Sequence, residues 1–203
     1  MHTRTPVARD KEEVCGLITE IKTSDHERQV KYFIDRIFEN DKSYNINYED
    51  KNGKIPLISA CAANNIGMVN FLIKKGADVN LKNKGGLWPL LRATTIGSVE
   101  IVERLLKVPG IEVDKKDSWG NTTLMELCNE KKFTEDHKRI IRLLINAGAK
   151  TDLTNRDGKV VCASKLDSIS SGSSSPKKPH KGGKTNKRQS IKRRKTVQKR
   201  SQK

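Results

Sequence analysis

The sequence predicts an all-α solenoid of stacked helix-turn-helix units with short hairpin loops, followed by a disordered basic tail. Three observations predict it. The segment 50–83 nearly repeats 33 residues later: Gly53 is answered by Gly86, Pro56 by Pro89, Leu57 by Leu90, Ala60 by Ala93, Val69 by Val102 and Leu72 by Leu105. Each period holds two apolar stripes at 3–4-residue spacing, the signature of paired amphipathic helices that bury their faces only against neighbouring units. The charge is unevenly spread: residues 165–203 carry 14 Lys and Arg against one acid, leaving 27 and 23 for the rest of a chain whose net charge is +17. A nearly balanced stack with a basic arm follows.

Residues 1–10 are expected to be a flexible N-terminus, and 11–49 a divergent capping unit. Its stripes are Val14, Leu17, Ile18, Ile21 and Val30, Phe33, Ile34, Ile37, and Asn45-Ile46-Asn47 lies 33 residues before Asp78-Val79-Asn80. A charged outer face on such a cap keeps the stack end hydrated. In the unit 50–82, the tetrad Asp50-Lys51-Asn52-Gly53 is a turn, because Asn and Gly tolerate positive φ. Pro56 starts a helix at a first-turn position where its missing N–H costs nothing, with Leu57, Ala60 and Cys61 on one face. After a break near Asn64 and Gly67, Met68, Val69, Leu72 and Ile73 form the second stripe, which Gly76 ends at a left-handed cap. The unit 83–116 repeats this order, with Val108-Pro109-Gly110-Ile111 adding one residue. A third unit, 117–154, is longer by about five residues, placed at 131–137 between its helices. Asn155-Arg156-Asp157-Gly158 opens a truncated unit, 155–166, and residues 167–203 form a Ser-rich linker and basic tail.

Turn, helix, helix and loop in 33 residues, beginning Ile-Pro-Leu-Ile-Ser-Ala at 55–60 and Trp-Pro-Leu-Leu-Arg-Ala at 88–93 and ending Gly-Ala-Asp-Val-Asn at 76–80, resembles the ankyrin repeat. The family's Thr-Pro-Leu-His start has lost both its Thr and its His in these two units, and with them the local hydrogen bond that braces the helix start. The resemblance implies protein binding through hairpin tips and the inner-helix face. Carried onto this chain, the tips are Lys51, Asn52, Lys84, Gly85, Ser118 and Trp119, and the inner helices offer Ser59, Ala63, Arg92, Ile96, Glu126 and Asn129. An exposed Trp119 would be a natural anchor; the alternative is a ring lying flat on the neighbouring tip. Trp88, which replaces the family's Thr, is expected to pack against the next unit.

No catalytic constellation is present in the sequence, and an enzyme is not expected. His2, His26, His137 and His180 have neither a nucleophile nor metal-ligand spacing beside them. His137 follows Glu135 and Asp136, a pairing better read as charge complementing a helix N-terminus than as an acid–base cluster. The recurrent glycines form no phosphate-binding loop. No cofactor or metal is expected. The four cysteines, Cys15, Cys61, Cys128 and Cys162, form no CxxC pair and are read as lone thiols of a reducing compartment. Neither a signal peptide nor an apolar run of spanning length is legible, so a soluble intracellular chain is expected; it is also expected to be a monomer.

The tail is a different object. Ser168-Ile169-Ser170-Ser171-Gly172-Ser173-Ser174-Ser175 has linker composition, and beyond Pro179 the only aliphatic residues are Ile191 and Val197, too few to offset ordering entropy. Lys192-Arg193-Arg194-Lys195, preceded by Lys187-Arg188, resembles a nuclear import signal. Contact with nucleic-acid phosphates, without sequence preference, and a merely solubilising arm are the other two readings. Ser190 and Thr196 have flanks suited to basophilic kinases, and Ser175-Pro176 suits a proline-directed one.

The combination implies a non-enzymatic adaptor or inhibitor in the nucleus, or shuttling between nucleus and cytoplasm. Its repeats would bind a transcription factor or signalling protein, and its tail an import receptor. Small ankyrin inhibitors of Rel-type transcription factors supply one model, although this tail is basic where theirs tend to be acidic. A nucleic-acid- or chromatin-associated protein is the rival reading, and assembly on an acidic membrane or cytoskeletal surface a third.

Overall fold

The computed structural model describes residues 6–41, 43–130 and 133–160, the first seven as backbone only. Among them are eight helices and no strand: α1 (Pro6–Thr19), α2 (Ser24–Asn40), α3 (Pro56–Ala62), α4 (Ile66–Lys74), α5 (Pro89–Thr95), α6 (Val99–Leu106), α7 (Thr123–Asn129) and α8 (Glu135–Asn146). Successive helices pair, α1 with α2 through α7 with α8. The odd-numbered helices stack in one layer and the even-numbered in the other. The fold is therefore the two-layered helical solenoid that the 33-residue period implies.

Local sequence explains where each helix starts. Pro56 and Pro89 occupy the first turns of α3 and α5. In the third unit Thr122 stands where Ile55 and Trp88 stand before it, and its hydroxyl accepts the Met125 N–H at 3.3 Å. Asn65 caps α4 by accepting the Met68 N–H at 2.8 Å, and Thr23 caps α2 by accepting the His26 N–H at 3.1 Å. Each such cap satisfies a donor that the helix leaves orphaned. Asn64 links α3 to α4 with φ +52°, and Gly97, one period later, links α5 to α6 with φ +77°. Asn and Gly are the two residues that adopt this left-handed turn at least cost.

Equivalent positions build one continuous core. Leu57, Leu90 and Leu124 are essentially inaccessible, as are Val69 and Val102, and Leu72, Leu105 and Leu144. Each such side chain gains roughly 1.5–3 kcal/mol on burial, but only when the neighbouring unit covers it. Trp88 is also wholly buried, at 1% exposure, so the ring packs as expected. At the N-terminal end Tyr44 stands edge-on to Phe38, with ring centroids 5.0 Å apart. The Lys75 ammonium pairs with Asp35 at 2.5 Å and lies over the rings of Phe38 and Phe71.

Three expectations need correction. Helix α1 begins at Pro6, inside the segment expected to be flexible, because proline suits a helix's first position. Helix α8 begins at Glu135, so Glu135, Asp136 and His137 belong to the helix rather than to an insertion between helices. The cause is a capping box: Thr134 Oγ1 accepts the His137 N–H at 3.3 Å, and His137 Nδ1 accepts the Thr134 N–H at 3.0 Å. The acids fall in the first turn, where the helix dipole favours them. Finally, Cys128 is disulfide-bonded, which linear spacing does not reveal because a disulfide depends on which Cβ atoms meet in space. Cys15 and Cys61 are free and buried.

The tail residues singled out above lie outside the described residues: Lys187, Arg188, Lys192, Arg193, Arg194 and Lys195, and Ser175, Ser190 and Thr196.

Candidate protein-binding surface

Each unit opens on a finger-like turn led by an Asp or Asn whose side chain organises it. Asp50 Oδ1 accepts the N–H groups of Asn52 and Lys54 at 2.9 and 2.8 Å. Asp117 does the same for Trp119 and Asn121, both at 2.8 Å. Asn83 accepts from Leu87 at 2.8 Å, and Asn155 from Asp157 and Lys159 at 3.0 and 2.9 Å. In every finger the lead residue's N–H also donates to the carbonyl four positions on, at 2.8–3.0 Å. Short polar side chains that bind their own backbone are the reason Asp and Asn lead these turns.

The fingers then lock to one another. Asn83 Nδ2 donates to the Gly53 carbonyl at 2.7 Å, and the Lys84 N–H to Glu49 Oε1 at 2.9 Å. Further along, Asn155 Nδ2 donates to Asn121 Oδ1 at 2.8 Å and the Arg156 N–H to the Trp119 carbonyl at 3.0 Å. Residues separated by a whole repeat thus become neighbours, and the tips align as one edge.

The sequence-predicted positions fall into three groups on this frame. Lys51, Asn52, Lys84, Gly85, Ser118 and Trp119 are exposed at the tips, and Trp119 is 65% exposed rather than laid flat. On the inner layer Ala63, Arg92 and Glu126 are half-buried, with Glu126 accepting from Asn121 Nδ2 at 2.6 Å; Ile96 and Asn129 are exposed. Ser59 differs: at 4% exposure it is a buried residue of the inner layer.

Sequence reading passed over a cleft of ≈ 310 Å³ between the first two fingers and the inner helices, where Lys54, Ile58, Leu87 and Arg92 converge. Leu87 is the clue it could have used. It replaces Lys54 at the equivalent finger position and leaves a large aliphatic side chain 36% exposed.

Two thiols lie buried beneath this surface. Burial pushes the Cys15 thiol up to about 11, against smaller lowering effects from Tyr48 and Ser59, and pushes Cys61 up to about 12. Cys15 Sγ also donates to the Lys54 carbonyl at 3.5 Å. Thiols held protonated in this way are poor nucleophiles. Among the described residues, no group of three or more His, Cys, Asp or Glu side chains is arranged to hold a metal ion, and no helix is long and apolar enough to cross a membrane.

Residues 10–83 match the family model for ankyrin repeats (3 copies). No curated protein matches the chain.

Proposed function

We propose, from the premise that this chain is an ankyrin-repeat protein, that its protein-interaction role is that of a non-enzymatic adaptor or inhibitor. Its hairpin tips and inner helices would hold a transcription factor or signalling partner, in the nucleus or in transit to it. The observation that carries the reading is the division of labour in the stack. The aliphatic stripes are consumed by contacts between units, while the tips present Lys51, Lys84, Ser118 and a Trp119 that is 65% exposed. An exposed aromatic ringed by polar groups is what a binding hot spot requires before its partner arrives.

The nuclear part of the proposal rests on Lys192-Arg193-Arg194-Lys195 with Lys187-Arg188 upstream, which would engage an import receptor. Replacing the four consecutive cations with Ala in a tagged protein too large to diffuse through the nuclear pore tests it. Redistribution to the cytoplasm, with the unfolding midpoint unchanged, is the expected result; undiminished nuclear accumulation overturns it. A Glu at Thr196 should weaken import modestly by local charge cancellation.

The net +13 of residues 165–203 also favours a second reading, in which the tail contacts nucleic-acid phosphates while the repeats recruit a protein. Counterion release would then make affinity for DNA fall steeply with salt, in proportion to the phosphates neutralised. A nearly flat dependence removes this reading.

A further inference from the structure

The fingers differ from the rest of the stack in charge. Lys54 is exposed on the first, and Lys82 and Lys84 on the second. On the third, Lys116 is exposed with its ammonium donating to the Thr154 carbonyl at 3.3 Å, and Arg156 and Lys159 are exposed on the fourth. The acids that accompany them are largely engaged in the fold. Asp50 is 6% exposed and, like Asp117, accepts two N–H groups of its own turn. Glu49 accepts the Lys84 N–H. Asp157, on the fourth finger, is the exposed exception. Cations therefore project outward while most carboxylates turn inward.

The cleft adds an apolar element to this basic edge. Lys54 and Arg92 line it together with Leu87 and Ile58, so a carboxylate and an aliphatic side chain could be held there at once. Surface lysines alone are ordinarily a solvated face. A row of them that recurs with the repeat, beside an aliphatic cleft and an exposed tryptophan, is a patterned surface.

We propose that the four fingers and the cleft between the first two form a docking track for an extended acidic peptide segment. The segment carries a carboxylate at about every third residue, and one apolar side chain seats against Leu87 and Ile58. The spacing follows from geometry. Packed helices lie about 8–10 Å apart, so successive fingers recur at about that interval. A chain in the polyproline II conformation advances about 3.1 Å per residue with three residues per turn, which makes one repeat equal to three residues and brings every third side chain to the same face. A nucleic-acid strand fits this edge less well. It brings a charge on every nucleotide, about 3.4 Å apart along the axis for one strand of a duplex, so most of its phosphates fall between the cations of successive fingers. Trp119 is also the single exposed aromatic among the described finger residues, too few for a run of stacked bases. The inference rests on the fingers being the partner-binding surface and adds the partner's chemistry.

The test uses the full chain and three fluorescent probes: a 12-residue peptide with Glu at every third position and one Leu between the first two, a peptide of the same composition with its Glu residues consecutive, and a 12-nucleotide single strand. The basic tail attracts both peptides alike, so the readout is the ratio of their affinities. The spaced peptide should bind about tenfold tighter, since several exposed ion pairs form together only in register. The combined variant Lys54→Gln, Lys82→Gln, Lys84→Gln, Arg156→Gln should abolish the ratio, while replacing Lys192, Arg193, Arg194 and Lys195 with Ala should preserve it. All four finger side chains are exposed, so the finger variant should melt as the native protein does. Equal binding of the two peptides overturns the proposal, and so does a ratio that survives the finger variant. If the oligonucleotide is the tighter ligand and loses affinity in the finger variant, the track belongs to nucleic acid instead. A neutral peptide, selected from a random library, whose binding depends on Trp119 would overturn the acidic assignment while leaving the fingers as the partner surface.

Discussion

Asn80 reaches across to Glu112: its side-chain oxygen accepts the Glu112 N–H at 2.9 Å, and its Nδ2 donates to the Gly110 carbonyl at 2.8 Å. The same rung recurs on either side. Asn47 Oδ1 accepts the Asp78 N–H at 2.7 Å, and Asp114 Oδ1 the Lys150 N–H at 3.0 Å. The recurrence of Asn at 47 and 80 thus marks a ladder of side chains that ties each loop to the next.

Removing a rung should weaken the coupling between units. Asn80→Ala loses two exposed hydrogen bonds, each contributing about 0.5–1.5 kcal/mol net. A fall in unfolding free energy of about 1–3 kcal/mol in urea is expected. Full stability would mean that water replaces both bonds at no cost.

Gly76 sits at φ +86° with open space where a Cβ would be. Backbone strain is therefore the whole penalty of a substitution there. Gly76→Val should cost about 1–3 kcal/mol, and Gly76→Asn distinctly less, because Asn tolerates the left-handed region. Equal midpoints for the two variants would contradict the strain argument.

The two tryptophans should behave oppositely. Trp88→Ala empties a wholly buried site and should destabilise the protein by about 3–5 kcal/mol. Trp119→Ala alters a ring that is 65% exposed, so thermal unfolding should barely move while partner binding weakens by about 2 kcal/mol or more. Unfolding without loss of binding on Trp119→Ala would make that ring a packing element.

Burial raises the thiol of Cys61 to about 12 in the folded protein, against about 8.5 for an unfolded cysteine. Because the folded value is the higher one, the contribution to stability is full below pH ~8.5 and is lost as pH rises towards 12. The urea midpoint should fall above pH 9, and less steeply in Cys61→Ala. An identical pH profile in the variant would remove Cys61 from the account. At pH 7 neither Cys15 nor Cys61 should react with a thiol reagent before unfolding.

Much of this protein was determined by sequence alone, because it depends on near neighbours along the chain. The 33-residue period, the prolines that open α3 and α5, the left-handed turn at Gly76 and the burial of Trp88 all follow from local propensity and apolar spacing. The inward or outward fate of individual polar residues did not follow. Ser59 shares an inner-helix face with Arg92 in sequence yet lies buried, while Leu87 stands exposed at a cleft. The helix start at Glu135 and Asp136 is legible in their charge, but the bond that His137 Nδ1 accepts from Thr134 is not, and nothing in the spacing of four cysteines shows that Cys128 is bonded. The rungs from Asn47, Asn80 and Asp114, like the finger contacts of Asn83 and Asn155, join residues 30–36 positions apart. Only the stacking of one repeat on the next brings those partners within hydrogen-bond reach. Periodicity specifies the helices; the superposition of units decides which side chains meet, which are covered, and which remain for a partner.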